Sequence, residues 1–381
     1  MKKKLLYITG VAVLLICATL IVISLINSNE ATDSLPMVSI SNDTSALVDS
    51  DGNLWMWGCN EHGEFGVNSG NSSKPKIVAT DVKYVCVGGW STAIIKNDGS
   101  LWASGNIYWN NTLQTDSFVK IMDSVKSVSC NSGTFAVIKE DGTLWTWGKN
   151  PRGQLGSGIK PGYPKHLSKY DPWNGISDTP TKILDDVKYV CMGDYNGAAI
   201  KEDGTLWTWG DNYDYVLGNN SSQDSYIPIE IMKDAKSVTI GMDSIGAIKK
   251  DGSLWMWGQN MSYGILGNNS TEAAKTPIKI TTNVKSACTD DITTMAIKKD
   301  GSLWVWGDNN GHFGDDSIKG SRTPMKIMDD VLKFDISDYH VVIIKEDGSV
   351  WSWGKENDHG ELGNGTTNES IKPVKIIDKI S

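Results

Sequence analysis

Side chains capable of acid–base, nucleophilic or metal chemistry are present in this chain but scattered. The five histidines are His62, His166, His312, His340 and His359, and none stands at a two-histidine spacing with a nearby carboxylate of the kind that holds catalytic zinc. His62, His312 and His359 recur in the same Gly-rich loop context, which favours turn packing over ligation. Apart from Cys17, which lies in an apolar N-terminal stretch, the cysteines are five, an odd number, with no Cys-x-x-Cys pair. Cys86, Cys191 and Cys288 share one position, twelve residues before an Asp-Gly aspartate, where Ser39, Ser129, Thr239 and Asp335 stand elsewhere. That pattern describes a small side chain in a crowded strand. Asp49-x-Asp51-Gly52 begins like a calcium loop but lacks the remaining ligands. No Gly-x-Ser-x-Gly elbow, phosphate loop or dinucleotide fingerprint is present. Asp335, Asp338 and His340 come nearest to a titratable cluster. The expectation is therefore no catalytic residue, no metal and no cofactor.

What must position these residues is a repeat. Asp51-Gly52-Asn53-Leu54-Trp55-Met56-Trp57-Gly58 returns with small edits from Asp98, Asp141, Asp203, Asp251, Asp300 and Asp347, at intervals of 47, 43, 62, 48, 49 and 47 residues. Such periods suit propeller blades and exceed those of leucine-rich or ankyrin units. An apolar run such as Ala136-Val137-Ile138-Lys139 precedes each Asp-Gly and Leu-Trp-x-Trp-Gly follows it, so the pair reads as a hairpin, with Asp-Gly supplying the positive backbone angles of a primed turn. Thirteen of the sixteen Trp lie in these motifs. Two indoles spaced two apart leave one face of a strand, which predicts filler between blades rather than a binding cage.

Two more strands complete each unit, one like Val82-Lys83-Tyr84-Val85-Cys86 and one like Pro277-Ile278-Lys279-Ile280. Ser104 replaces the second Trp in the second unit. Because the first unit opens on Met37-Val38-Ser39-Ile40 and the chain ends on Pro373-Val374-Lys375-Ile376, the C-terminal strand is expected to complete the first blade. The predicted fold is all-β: a seven-bladed β-propeller over residues 36–381, closed by pairing of its N- and C-terminal strands and preceded by one N-terminal transmembrane helix.

The unit Val-x-x-Val-x-x-Gly, Ala-x-Ile-Lys, Asp-Gly-x-Leu-Trp-x-Trp-Gly and Asn-x-x-Gly-x-Leu-Gly (Asn150, Gly153, Leu155, Gly156) resembles the regulator-of-chromosome-condensation repeat family, in a bacterial extracellular form. The resemblance implies a seven-bladed propeller. Where that family often carries His after the first strand, this chain has Thr44, Ser91, Thr134, Asn196, Ser244, Thr293 and His340. Nothing here carries over the nuclear member's chromatin binding or nucleotide exchange. Secreted bacterial propellers within the same resemblance inhibit β-lactamases, which implies a penicillin-recognising enzyme as one kind of partner.

Lys2-Lys3-Lys4 precedes 22 uncharged residues from Leu5 to Ile26, enough at about 1.5 Å each to cross a hydrocarbon core of roughly 30 Å. Residues 1–27 are therefore expected to be a signal anchor and 28–35 a linker, with the lysines cytoplasmic and the propeller outside the cytoplasm. Cleavage of the segment would make the protein secreted. Residues 27–381 carry 45 acidic and 33 basic side chains, a net charge of −12, which argues against nucleic acid as a partner.

Function is sought in the turns that vary between units. Asp43, Trp90, Asp194, Tyr195, Asp243, Asp291, Asp338 and Tyr339 occupy the turn between the first two strands of their blades. Trp173 lies in the insertion at 159–179 that stretches one interval. Aromatics among acidic groups predict recognition of a protein partner at the cell surface, without enzymatic activity. The alternatives are a cell-wall glycan-binding module, a β-lactamase-inhibitor-like protein and an extracellular enzyme.

Overall fold

The computed structural model describes residues 36–109, 112–160, 175–260 and 264–380. The apolar stretch 5–26 and Trp173 lie outside these residues, and among the described residues no helix is long and apolar enough to cross a membrane. Residues 36–381 form one compact unit.

Seven four-stranded antiparallel sheets are arranged as blades, each built from four consecutive strands. In the first blade these are Met37–Ile40, Thr44–Val48, Leu54–Gly58 and Ser72–Ala79. The Val-x-x-Val strands lie innermost and line a central channel, the apolar Ala-x-Ile and Leu-Trp-x-Trp strands are buried, and the Pro-x-Lys-Ile strands form the exposed outer edge.

Ring closure differs from expectation. The C-terminal strand Ser370–Ile377 pairs with Val350–Gly354 of its own blade, and the first blade is completed by Ser72–Ala79. No strand is exchanged between the ends. The shortened Pro75-Lys76-Ile77 motif already fills the outer position of the first blade, so that edge is not free for a second strand.

Side-chain hydrogen bonds hold the blades together instead. The second Trp of each motif is fully buried, and its indole N–H donates to a backbone carbonyl of the preceding blade: Trp209 to Gln154 (2.7 Å), Trp257 to Val216, Trp306 to Ile265 and Trp353 to His312 in loops, and Trp147 to Ile107 in a strand. Trp57 closes the ring by donating to the Glu361 carbonyl at 2.7 Å. Burying 150–250 Å² of each indole contributes about 4–6 kcal/mol of transfer free energy as an upper estimate. Gly363 lies against the Trp57 ring with φ +68°, and an added β-carbon would sit 2.9 Å from it. In the second blade the Ser104 hydroxyl donates to the Glu64 carbonyl at 3.0 Å, so the substitution keeps the bond and loses the ring.

The first Trp behaves differently from its partner. Trp145 is half-buried and donates to the Thr143 hydroxyl of its own hairpin at 2.8 Å, with the Lys139 ammonium 4.9 Å from the ring centroid. The second indole is therefore the fully buried filler between blades, while the first is held in its own hairpin and packs at the margin of the core, as Trp55, Trp304 and Trp351 do. The Asp-Gly turn is not a primed turn either. Gly142 alone has positive φ (+79°), Gly142 N–H donates to Lys139 and Lys139 N–H to Thr143, giving a type I turn closed by a glycine bulge. Asp141 accepts from the Thr143 hydroxyl and amide, which hold its carboxyl below the usual range.

Inside the ring, five of the seven residues in the slot that includes Cys86, Cys191 and Cys288 accept a backbone N–H of the next blade. Ser39 accepts from Val87 N–H, Cys86 from Cys130 N–H, Ser129 from Met192 N–H and Thr239 from Thr289 N–H. Asp335 links the last blade to the first by accepting from Ile40 N–H at 2.9 Å, and it also accepts from the Cys288 thiol. Burial pushes its carboxyl up to about 6, against the pull of the Ile40 amide, the Cys288 thiol and the Ile336 amide.

Two outcomes follow from these contacts. Trp209→Ala is expected to cost about 3–5 kcal/mol of unfolding free energy and Trp209→Phe about 1–3, with Trp207→Ala costing less than Trp209→Ala, measured by denaturant unfolding. Because the folded-state pKa of Asp335 lies above that of the unfolded chain, its favourable contribution is complete below about pH 4 and is lost as the pH rises towards 6. Between pH 4 and 7 the wild type should therefore lose about 1–3 kcal/mol more stability than Asp335→Asn.

Candidate binding face at the channel mouth

Each blade turns between its innermost and second strands through two residues, and all of these turns lie at one end of the ring. The loops after the Trp strand reach the same end, since Cys59 N–H donates to Asp43 and Asp211 N–H to Tyr195. A buried Asn pins each such loop: the Asn212 side-chain carbonyl accepts from Leu217 N–H while its amide donates to Ser221 and Gln223 carbonyls.

Adjacent turn residues point apart, and this divides the expected site in two. The first residue of each turn lines the channel mouth, which opens into a cavity of about 290 Å³; Asp194, Asp291 and Asp338 are brought together here. The second residue sits on the rim, where Asp43, Trp90, Tyr195, Asp243 and Tyr339 are found. Trp90 and Tyr195 are 44% and 37% exposed, enough to meet a partner, whereas Tyr339 is half-buried.

The mouth carboxylates are braced by neighbouring turns. Ser132 donates to Asp194 at 2.6 Å, and Asn42 donates to Asp338 at 2.9 Å across the junction of first and last blades. Burial together with the charges of Asp338 and Asp194 pushes Asp291 up to about 7. Burial also raises Asp338, although the Asn42 amide opposes it. Asp243 is raised by burial and by Asp214. Crowding of like charge at this end therefore creates a site that favours a cation.

The rim aromatics already carry basic neighbours. The Lys149 ammonium lies 5.2 Å from the Trp90 ring and 5.5 Å from Tyr108, and burial lowers its pKa against the opposing pull of Asp194. Arg152 lies 5.9 Å from Tyr195. His62 packs on Trp90 with ring centroids 5.6 Å apart.

Asp290 is a mouth residue that the turn pattern does not single out. It lines the mouth but is 7% exposed, accepts from Ile292 and Thr293 amides, and leaves Oδ2 without a hydrogen bond, 3.6 Å from His312 Nε2. Burial drives its carboxyl well above the usual range. The available signal is a carboxylate in the slot filled elsewhere by Ser41, Gly88, Asn131, Gly193, Gly241 and Ser337.

The grouping of Asp335, Asp338 and His340 does not form. His340 is fully buried, with Nε2 2.8 Å from the Ser45 hydroxyl and Nδ1 2.9 Å from that of Ser337, and burial depresses its pKa to about 3. It is a neutral internal strut. Among the described residues, side chains close enough to share a cation meet at the seam between the last and first blades: Cys59, Glu61 and His359, and Asp43, His359 and Glu361.

Residues 22–332 match the RCC1-like domain, and 331–361 and 347–380 match the Regulator of chromosome condensation (RCC1) repeat. The mitochondrial RCC1 domain-containing protein RUG3 of Arabidopsis thaliana is 25% identical over 203 residues, covering 48% of this chain and 43% of that protein. The chain thus spans less than half the length of that relative. Human WBSCR16 superposes with a TM-score of 0.69 at 18% identity, covering 84% of this chain and 93% of that one. Yeast RCC1 (Prp20), in its complex with Kap60, gives 0.70 at 16% identity, covering 92% and 86%. At such identities the superpositions establish the seven-bladed architecture alone, while the match over 22–332 establishes descent: the chain belongs to the RCC1-like domain family.

Proposed function

We propose that this chain is a non-enzymatic binding propeller that takes a protein partner on its acidic, aromatic end. The convergence of Asp194, Asp290, Asp291 and Asp338 on one mouth, with Trp90 and Tyr195 exposed beside it, carries this reading. A partner of matching chemistry presents a basic segment to the mouth and apolar surface to the rim. Solved work on Prp20p, of the same fold, concerns binding to Gsp1p and histones, and supports a protein-binding use of the architecture. In this proposal residues 5–26 anchor the chain in a membrane, with the propeller outside the cytoplasm, and the partner is a surface protein.

The test is capture from a cell-surface extract with the wild type beside Trp90→Ala/Tyr195→Ala/Tyr339→Ala and Asp194→Asn/Asp291→Asn/Asp338→Asn. A protein held by the wild type should bind each variant at least about ten-fold less, and added salt should elute it. Equal retention by all three forms overturns the reading. Because Asp291 titrates at about 7, binding of a basic partner should weaken as the pH falls from about 8 to 6, with a smaller change in the Asp291→Asn single variant.

A further inference from the structure

The seam between the last and first blades differs chemically from the rest of the ring. His359-Gly360-Glu361 follows the Trp strand of the last blade, and His359 Nδ1 lies 3.0 Å from Oε1 of Glu361, a residue 2% exposed. This contact leaves Nε2 to point across the seam, where Glu61 Oε1 lies 3.8 Å away. The ligand atoms of Cys59, Glu61 and His359 all lie within 4.8 Å of one another, as do those of Asp43, His359 and Glu361.

The first blade repeats the same device and provides an internal comparison. In His62-Gly63-Glu64, His62 Nδ1 lies 3.2 Å from Glu64 Oε1. The following blade, however, presents Trp90 where the seam has Asp43, and Asn106 where it has Cys59; Asn106 N–H donates to Trp90 as Cys59 N–H does to Asp43. The same clamp therefore faces an indole at one junction and a thiol with carboxylates at the other. Of these two junctions, only the seam combines sulfur, nitrogen and oxygen donors.

The geometry points to a divalent-cation site of the zinc class at this seam, with Cys59 Sγ, His359 Nε2 and a Glu61 carboxylate oxygen as ligands. Three such donors, with a fourth position open to water or Asp43, match borderline-soft Zn²⁺ better than oxygen-seeking Mg²⁺ or Ca²⁺. Glu361 is the positioning residue: it accepts the Nδ1 proton, fixing the tautomer that directs Nε2 at the ion. Cys59 is 6% exposed, and because a thiolate and not a thiol ligates zinc, an ion must displace the thiol proton. Glu61 and His359 are exposed and half-exposed, which opens the site to solvent. Binding releases that proton to water and ties together two blades that exchange no strand.

The experiment uses the full chain in detergent solution, stripped with chelator and titrated with Co²⁺ as a spectroscopic stand-in for zinc. The expected result is one equivalent bound, with a sulfur-to-cobalt charge-transfer band that Zn²⁺ abolishes by displacement. Cys59→Ser should lose the band, and His359→Gln and Glu61→Gln should weaken binding at least about ten-fold. Glu361→Gln should weaken it roughly 10- to 100-fold. His62→Gln should change nothing, and zinc should raise the unfolding midpoint of the wild type but not of His359→Gln. Absence of a charge-transfer band in the wild type overturns the proposal, as does its persistence in Cys59→Ser. Should the buried serine variant misfold, His359→Gln and Glu61→Gln decide the matter at partly solvated positions, and undiminished Co²⁺ affinity in both overturns the site.

Discussion

The buried indole that donates to a carbonyl of the preceding blade is the contact on which the rest of this ring depends. It is directional where hydrophobic burial is not, so each blade reads both the presence and the angular position of its neighbour. The receiving loop is in turn pinned by a buried Asn, and a glycine flattened against the indole sets its approach. Trp, Asn and Gly in one repeat are therefore parts of a single joint. Ser104 shows which part is indispensable: where the aromatic volume is lost, a hydroxyl still satisfies the carbonyl, and the strand pair Leu101–Trp109 and Thr112–Met122 lengthens in place of the Gly-rich loop.

Most of this architecture is legible in the chain because the period, the Trp pair and the Asp-Gly turn are local signals repeated seven times. Closure is not, for an equally physical reason. Motif order assigns strands to a linear series, whereas the free edge of the first blade depends on whether Pro75-Lys76-Ile77 forms a full outer strand, and the shortened motif understates it. The two indoles look equivalent because alternation reports the face of a strand but not its distance from the hairpin, where Thr143 captures the nearer ring. Of the channel mouth, the shared end of the turns is readable. The opposite directions of neighbouring turn residues are not: Asp194, Asp291 and Asp338 stand first in their turns and Asp43, Asp243 and Tyr339 second, but which of the two positions faces the channel is decided only by the closed ring. Asp290 escapes because its burial depends on the folding of the whole ring.

Two kinds of acidic group coexist in the propeller. Asp141 and its equivalents are stabilised as anions by adjacent hydroxyls and amides, whereas Asp290, Asp291, Asp335 and Asp338 resist ionisation where they are buried or crowd together. A scaffold of neutral internal histidines and tightly bonded turns holds the second kind in place. The charge presented to solvent at the mouth is consequently set by the ring as a whole rather than by any one turn.

Because every blade is made of consecutive strands, the first inner strand and the last outer strand belong to neighbouring blades at one junction. Tension applied between residues 36 and 380 therefore meets that junction first, at contacts that include Ile40–Asp335, Asn42–Asp338, Ser45–His340 and Trp57–Glu361. The remaining interfaces are each spanned by a covalent connection and are shielded from the pull. Mechanically the molecule is a split washer, whose resistance to opening is set at one gap even though its thermal stability is spread around the circumference.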